Sequence, residues 1–157
     1  MNIICFHKPD EENGYLSNWH MSDFTANDIR FSSMEQFMMY QKATCFNDES
    51  IAEHILSVHD VAYIKSLGRS VANYNDNYWN GVRQIIVYNG LMEKFSQNIY
   101  LKEKLLSTGN AILAECAVKD TIWGIGLSMT DPERFDRSKW RGQNLLGYTL
   151  MMVRSKL

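Results

Sequence analysis

A glutamate and a lysine at helical spacing are the first residues of this sequence whose types could do chemistry together. Glu35 and Lys42 bound the run EQFMMYQK. On a helix, residues seven apart point in nearly the same direction and are separated by roughly 10 Å of rise. A carboxylate and an amine placed in this way can both reach one sugar-sized ligand. The pair is therefore the candidate centre of an acid–base or nucleophilic reaction.

The residues around this pair favour a functional interpretation. Met39 and Phe46 fall on the same side of the helix, so this face is more apolar than a solvated one. An ionisable group on such a face is expected to be partly buried, with a shifted pKa. The structural alternative is that Glu35 only completes a capping box with Ser32, and that Lys42 only faces solvent.

A second candidate follows an apolar run in the C-terminal half of the chain. Asp120 precedes Trp123, Gly124 and Gly126 in the segment DTIWGIG. Glycines permit close approach of the backbone, and an indole offers a flat face for stacking. The segment therefore predicts a place for a planar base. A strand end, a tight turn and a core Trp would give the same pattern.

A third candidate is the run WRGQNLLG at the start of the last predicted helix. Arg141 and Asn144 lie where unpaired backbone N–H groups and a guanidinium would suit a phosphate. Helix starts rich in Gly and Asn also occur for capping alone. Three further candidates, each more typical of core or rim when judged singly, are Trp19, Arg69 and Trp79.

The elements that must hold these residues are mostly helices. Capping signals at Ser32 or Ser33 predict a helix that runs to about Cys45. Apolar periodicity predicts two shorter helices within 48–71, a longer one over 78–95, one after Asn98, and a last one from about Gln143 to the end of the chain.

Two features of the predicted packing are specific. On helix 78–95 the positions expected to face the core are Val82, Ile85, Ile86, Met92 and Phe95, opposite Arg83, Glu93 and Lys94. Strands are expected over 3–7 and within 111–118, and a hairpin over 23–31 with its turn at Asn27-Asp28. The sequence thus predicts an α+β fold, predominantly helical, with a small antiparallel sheet near the N-terminus.

Length and composition exclude several classes of protein. With 157 residues, 45% of them hydrophobic and 22% charged, the chain is expected to form a single domain over 1–157. A net charge of −2 lacks the basic footprint of a duplex-binding protein. No apolar run approaches the ~18 residues that span a bilayer and no signal peptide is evident, so a cytoplasmic location is expected. The spacing of the three Cys and four His predicts reduced thiols, with no metal site and no cofactor.

Taken in order, these stretches resemble the family known as YbiA-like or NADAR proteins, which is linked to NAD and ADP-ribose metabolism. The resemblance covers nearly the whole chain, from Phe6 to Leu157. It rests on the order and spacing of GYLSNW, SSMEQFMMYQKA, LGRSV, Trp79, KF-x-QN, L-x-x-TG, D-x-x-WG-x-G and WRGQNLLG. This ordered set is far more specific than any single motif.

The resemblance implies an N-glycosidase with a YbiA-like fold. Members are associated with hydrolysing the bond between ribose C1 and an exocyclic amine nitrogen. Their substrates are phosphorylated ribosylamino-pyrimidine intermediates of riboflavin synthesis or ADP-ribosylated guanine. Glu35 matches the family's acid/base glutamate, and Lys42 matches the lysine that follows it. Further pocket positions are matched by Asn18, Trp79, Asp120 and Trp123.

This chemistry assigns expected roles to the candidate residues. Breaking a ribosylamine bond builds positive charge at C1 and on the ring oxygen, while the leaving nitrogen needs a proton, and Glu35 is expected to serve both needs. Lys42 either attacks C1 to form a Schiff base or stays protonated and stabilises a phosphate or the ring oxygen. Asp120 is expected to orient water or hold ribose hydroxyls, and Arg141 to hold phosphate.

Two functions of other classes stay open from the sequence. One is a module that binds ADP-ribose or NAD without turnover, through the same Trp and Arg contacts. The other is a helical interaction domain whose Trp residues belong to the core. The expected partner is a small-molecule ribosylamine or ADP-ribosylated guanine, with ADP-ribosylated nucleic acid as an extension, and the oligomeric state is open.

Overall fold

Six α-helices and two two-stranded sheets make up the computed structural model, which describes all residues 1–157. The helices are α1 (Met34–Cys45), α2 (Glu49–Leu56), α3 (Val61–Arg69), α4 (Asp76–Gln97), α5 (Ile99–Ser107) and α6 (Leu145–Lys156). The strands are β1 (Ile3–Phe6), β2 (Met21–Ala26), β3 (Ile29–Ser33) and β4 (Ile112–Glu115). The predicted α+β class, mainly helical with a small antiparallel sheet, is confirmed.

The chain divides into two compact units, residues 21–98 and residues 1–20 with 99–157. The single domain expected from the length therefore stays a prediction. None of the helices is both long and apolar enough to cross a membrane.

The unit of residues 21–98 begins with the predicted hairpin. Strands β2 and β3 pair in antiparallel fashion, and Asn27 and Asp28 form the turn between them with φ of 51° and 64°. Asn and Asp tolerate this left-handed conformation better than other residues with a side chain, which is why the local sequence was sufficient to predict the hairpin. Because β3 ends at Ser33 and α1 starts at Met34, the hairpin fixes where the first helix begins.

Helix α1 is the centre of this unit and packs against α2, α3 and α4. Two glycines allow the close approach of its neighbours. A Cβ at Gly68 of α3 would lie 1.9 Å from Met39 Sδ, and one at Gly90 of α4 would lie 2.5 Å from the ring of Phe37. Side chains at either position would push the helices apart, so these contacts hold α1 in place from two sides.

The prediction for the buried face of α4 is wrong in part. Ile85 is 55% exposed, while two cations expected to face solvent, Arg83 and Lys94, are 9% and 0% exposed. The buried residues of this helix are Trp79, Arg83, Val87, Gly90, Leu91, Lys94 and Phe95. They follow one helical face, but two of its positions carry charge, so a pattern based on apolar residues selects a neighbouring face.

The second unit is built on β1 and β4. These strands pair in parallel, with Cys5 opposite Ala114 and Phe6 opposite Glu115. The sequence predicts both strands but not their pairing. The partner of β1 comes from more than a hundred residues later in the chain, which no local pattern reveals. Helix α6 packs against β4 and completes this unit.

Candidate active site

The start of helix α1 is held by Ser33 and Gln36. The Ser33 hydroxyl accepts a hydrogen bond from the Gln36 N–H at 3.1 Å, and Gln36 Oε1 accepts from the Ser32 N–H at 2.7 Å. The capping box proposed as the structural role of Glu35 is thus formed without it. This removes the simplest alternative to a chemical role for that carboxylate.

Gln36 also connects α1 to the end of α2 and to the segment that follows it. Its Nε2 donates to the carbonyl oxygens of Ile55 at 3.1 Å and Val58 at 2.8 Å. The side chain is 1% exposed, so all of these bonds are made in a low-dielectric interior, where they are strong. The neighbouring residue in the first turn, Glu35, is fixed in direction as a result.

Glu35 and Lys42 lie on the same face of α1, as their spacing predicts. Glu35 is only 3% exposed, and Lys42 is half-buried at the last turn of the helix. Burial lowers the pKa of Lys42, the negative charge of Glu35 opposes this change, and the positive charge of Arg69 adds to it. The net direction is downward, so desolvation is the dominant influence on this amine. These two side chains and Arg69 therefore act as one electrostatic group.

Tyr74 forms the wall beside the Lys42 ammonium. Lys42 Nζ lies 4.7 Å from the centroid of the Tyr74 ring, within the range of a cation–π contact. The ring is held edge-on by Phe46 at 5.3 Å between centroids, and its hydroxyl donates to Asp76 at 2.8 Å. Burial, followed by the hydrogen bond and the charge of Asp76, raises the pKa of Tyr74.

A chain of hydrogen bonds continues from Asp76 into helix α4. Asn80 Nδ2 donates to the second oxygen of Asp76 at 3.3 Å, and Arg83 Nη1 donates to Asn80 Oδ1 at 2.7 Å. The chain runs from a buried guanidinium on α4 to the aromatic ring beside Lys42. Trp79 lies on the same helix and is 6% exposed, whereas Arg69 at the end of α3 is exposed.

The predicted residues Asp120, Trp123 and Gly124 form a tight turn in the other unit. Asp120 Oδ1 accepts hydrogen bonds from the N–H groups of Ile122 at 3.0 Å and Trp123 at 2.8 Å. A Cβ at Gly124 would lie 2.9 Å from the carbonyl oxygens of Asp120 and Glu115. The close approach expected of this glycine is real, but it is made to the protein's own backbone. Trp123 itself is half-buried.

The expectation of unpaired N–H groups at the start of α6 is wrong. The N–H groups of residues 141–146 all donate to carbonyl oxygens of residues 121–125, over distances of 2.8 to 3.1 Å. The two segments form one interlocked loop pair, so no row of backbone donors is left for a phosphate. The exposed side chain of Arg141 stays a candidate for that contact.

Asn144 also has a structural role in this unit. It is 0% exposed with φ of 54°, its Nδ2 donates to the Leu113 carbonyl at 2.9 Å, and its Oδ1 accepts from the Glu115 N–H at 3.1 Å. Both ends of the amide are therefore engaged by β4. We assign Asn144 to the connection of β4 with α6 and not to substrate contact.

Asn18 and Trp19 follow the 3-10 helix Gly14–Leu16 in the same unit. Asn18 is 6% exposed, and its Oδ1 is a buried acceptor without a hydrogen-bond partner. A buried amide oxygen in this condition is rare and can receive a donor from a ligand. Trp19 is half-buried, and its N–H donates to the Ser17 hydroxyl at 3.1 Å.

Comparison with known proteins identifies the family. The model of the NADAR domain matches residues 5–157. The chain belongs to the NADAR domain family. The resemblance to this family, stated from the ordered motifs, is thereby confirmed.

Two named relatives and one solved structure are similar to most of this chain. The chain is 40% identical over 126 residues to an N-glycosidase of Acanthamoeba polyphaga mimivirus, covering 80% of this chain and 74% of that protein. It is 32% identical over 154 residues to a riboflavin biosynthesis protein of Vibrio vulnificus, covering 98% of this chain but 38% of that protein. The NMR structure of Escherichia coli YbiA matches with a TM-score of 0.81 at 27% identity, over 99% of this chain and 84% of that one.

The names of these relatives indicate the enzyme class of this chain. The Escherichia coli protein is also named an N-glycosidase, and it aligns with 99% of this chain. The predicted class, a hydrolase acting on N-glycosyl bonds, is confirmed at this level. The YbiA-like fold is confirmed by the same structure.

The sequence analysis missed the groups that surround Lys42. Tyr74, Asp76, Asn80 and Arg83 were not selected as site residues, although they form a continuous set of contacts beside it. The spacing of Asp76, Asn80 and Arg83 on one helical face was a signal that could have found them. Tyr74 precedes the helix, and only the folded chain places it against the end of α1.

Proposed function

We propose that this protein hydrolyses the N-glycosidic bond between ribose C1 and an amine nitrogen, with Glu35 and Lys42 at the reacting centre. One observation carries the proposal. Glu35 is a nearly fully buried carboxylate, the capping bonds with Ser32 and Ser33 are made by Gln36, and the charge of Glu35 acts on a half-buried lysine of the same helix face. A buried carboxylate coupled to a half-buried amine is typical of a catalytic site.

The role proposed for Glu35 follows from the charges of the transition state. As the bond from C1 to nitrogen lengthens, positive charge develops on C1 and the ring oxygen, and the leaving amine needs a proton. Glu35 as an acid donates that proton, and as a carboxylate it stabilises the oxocarbenium ion and then accepts a proton from the attacking water. Burial strengthens each of these interactions because water does not screen them.

The lowered pKa of Lys42 supports a nucleophilic role for this residue. Burial makes the neutral amine more available, and only the neutral amine can attack C1. In that route the C1–Nζ bond forms and the bond to the leaving nitrogen breaks. The ring C1–O bond then opens as a proton passes from Nζ to the ring oxygen, which gives a Schiff base that water hydrolyses. In the alternative route Lys42 stays protonated and stabilises a phosphate or the ring oxygen.

The charges around the site support a phosphorylated ribosylamine as substrate. Lys42 and Arg69 supply positive charge, and Arg141 is the candidate for a further phosphate contact. The net charge of −2 favours a small metabolite or a short modified nucleic acid over a long polyanion. The two proposed substrates are a phosphorylated ribosylamino-pyrimidine, supported by the name of the Vibrio vulnificus relative, and ADP-ribosylated guanine, free or in nucleic acid.

The other predicted residues are each proposed for a substrate contact on the basis of their own surroundings. The free acceptor of Asn18 suits a ribose hydroxyl. Asp120 has one carboxylate oxygen engaged in its turn, so the other is proposed to hold a water or a ribose hydroxyl. Trp19, Trp79 and Trp123 are proposed to pack against the base.

The substitution Glu35→Gln tests the proposal directly. Wild type and variant are incubated with the phosphoribosylamino-pyrimidine and with ADP-ribosylated guanosine, and the released base is measured by chromatography. We expect wild type to release one base, and the variant to be slower by roughly 10²–10⁴-fold, the usual contribution of a general acid or base. The variant keeps the shape of the side chain and should unfold at a temperature close to that of wild type.

Glu49→Gln is the matched control. Glu49 also lies in the first turn of a helix, but it is exposed. Its variant should keep full activity. A fully active Glu35→Gln protein would refute the assignment of Glu35, and binding of both compounds without release of either base would leave a module that binds without turnover.

Borohydride reduction separates the two roles of Lys42. If a Schiff base forms, reduction during turnover adds the sugar moiety to Lys42 permanently, and peptide mass spectrometry locates the adduct. If Lys42 acts only by charge, activity is unaffected by the reductant and no adduct appears. Lys42→Arg then retains part of the activity in the second case and none in the first.

A further inference from the structure

Two of the three cysteines lie together in the unit formed by residues 1–20 and 99–157. Cys5 on β1 is in register with Ala114 on β4, and the N–H of Cys116 donates to the Phe6 carbonyl at 2.8 Å. Residues 114 and 116 point to the same side of the extended chain. Cys5 and Cys116 consequently share one buried cluster, whose other members are Ala114, Ile125 and Leu127.

Cys5 and Cys116 are neighbours within this cluster. Cys116 Sγ lies 3.8 Å from the carbonyl oxygen of Ala114, the residue that pairs with Cys5. Cys116 is 0% exposed, and Cys5 keeps 8% of its surface exposed. A small oxidant can therefore reach Cys5 before it reaches Cys116.

A guanidinium completes the surroundings of Cys5. The positive charge of Arg134 acts on Cys5 and lowers its pKa, the Nη1 of Arg134 donates to the Asp131 carbonyl at 2.8 Å, and its Nε is buried without a hydrogen-bond partner. The hydrogen bond from Cys116, followed by the charge and hydrogen bond of Arg134, lowers the pKa of Cys5 against the effect of burial. The same thiol contact, with burial, raises the pKa of Cys116.

We propose that Cys5 and Cys116 form a modification site for hydroperoxides, in which oxidation joins β1 and β4 by a disulfide. Cys5 is the residue that reacts first, because it is the more exposed of the two. Cys116 is the residue that resolves the oxidised sulfur. The third cysteine, Cys45 at the end of α1, has no thiol partner and is not part of this site.

The reaction balances with hydrogen peroxide as the oxidant. The Cys5 thiolate attacks one peroxide oxygen, the O–O bond breaks, and one water leaves after protonation, so that Cys5 becomes a sulfenic acid. The Cys116 sulfur then attacks the Cys5 sulfur, the S–S bond forms, the S–O bond breaks and a second water leaves. Two thiols and one peroxide thus give one disulfide and two waters.

The disulfide would close a loop that contains most of the chain. In the chain-entropy account, crosslinks across long loops restrict the unfolded chain most, so the oxidised protein should have a higher Tm than the reduced protein. Strain in the bond would act in the opposite direction. The change in Tm on oxidation therefore shows whether the disulfide forms without strain. Whether the disulfide forms at all is measured by mass spectrometry.

Peptide mapping of the oxidised wild-type protein tests the proposal. Reduced protein is treated with excess hydrogen peroxide, free thiols are blocked with an alkylating agent, and the intact mass and the non-reducing digest are measured. We expect the loss of two hydrogens, one blocked thiol at Cys45, and a crosslinked pair of peptides that contain Cys5 and Cys116. Alkylation of Cys5 and Cys116 to the level of untreated protein would overturn the proposal.

Three single variants assign the roles. Cys45→Ser should form the crosslink as wild type does. Cys116→Ser should stop at the sulfenic acid of Cys5, which dimedone traps, and Cys5→Ser should form neither product. Crosslinking through Cys45, or sulfenic acid mainly on Cys45 in wild type, would contradict the site. Thermal unfolding of each reduced variant checks its fold, and the wild-type map decides the question even if one variant fails to fold.

Discussion

At the scale of single residues, the protonation of Lys42 depends on groups that act in opposite directions. Desolvation and Arg69 favour the neutral amine, whereas Glu35 favours the ammonium. The face of the Tyr74 ring at 4.7 Å also favours the ammonium, by about 0.5–1 kcal/mol for a contact of this kind. Tyr74 therefore adjusts how much of Lys42 is available as a nucleophile.

Substitution of Tyr74 should change the titration of Lys42. Tyr74→Leu keeps an apolar group at this position but removes the ring face, so the pKa of Lys42 should fall below its wild-type value. Tyr74→Phe keeps the ring and loses only the hydrogen bond to Asp76, so it should stay close to wild type. The pKa is followed by NMR of isotope-labelled lysine side chains, which requires no substrate.

Tyr63→Leu serves as the control for this experiment. Tyr63 is an exposed tyrosine of α3 that packs against His54. Its variant should leave the titration of Lys42 unchanged. An equal pKa of Lys42 in wild type and in Tyr74→Leu would show that the ring has no influence on the ammonium.

At the scale of elements, the connection between β4 and the start of α6 depends on one amide. Asn144 connects β4 to the start of α6 through two hydrogen bonds, and its backbone has a left-handed φ of 54°. Neither bond can be replaced by water, because the side chain is 0% exposed. Asn144, which the sequence analysis selected as a substrate contact, thus links two secondary-structure elements.

Asn144→Ala should destabilise the protein without a selective effect on substrate binding. Two backbone groups of β4 would lose their partners at about 1–3 kcal/mol each, and alanine tolerates a positive φ less well than asparagine. We expect a lower denaturation midpoint in urea, and an unchanged KM for the protein that stays folded. The exposed neighbour gives the control, since Gln143→Ala should keep the wild-type midpoint. A raised KM with unchanged stability would return Asn144 to the substrate site.

At the scale of the whole molecule, local patterns were sufficient for one part of the fold and not for the other. The hairpin turn at Asn27-Asp28 and the start of α1 at Ser33 depend on residues that are neighbours in sequence, and both were predicted. The pairing of β1 with β4 joins residues far apart in the chain, and it was not predicted. Local conformational preference gives no information on such a partner.

In the candidate site, too, local patterns predict some features and not others. The common face of Glu35 and Lys42 follows from helical periodicity, and it was predicted with its partial burial. The contact of Tyr74 with Lys42 and the carbonyl partners of residues 141–146 depend on how distant segments pack. For this reason the sequence predicted the common face of Glu35 and Lys42 but missed the groups that surround Lys42.

The buried face of α4 makes the stability of the whole molecule depend on pH. Lys94 is 0% exposed, and burial lowers its pKa from 10.5 to about 7. Between these values the residue is mostly neutral in the folded protein but charged in the unfolded chain, so unfolding takes up a proton. The free energy of unfolding therefore rises with pH across this window, and the cost of burying the amine is largest below pH 7.

Lys94→Met should remove this pH dependence. Methionine has a similar length and no charge, so the difference in Tm between variant and wild type should be most in favour of the variant near pH 6 and should decrease towards pH 9.5. Lys42, whose pKa is also lowered, contributes equally to both proteins and cancels in the difference. Lys119→Met, which replaces an exposed lysine, controls for the loss of one positive charge. A difference in Tm that stays constant from pH 6 to 9.5 would contradict this prediction. It would mean that Lys94 keeps an ordinary pKa in the folded protein and that burial does not lower it.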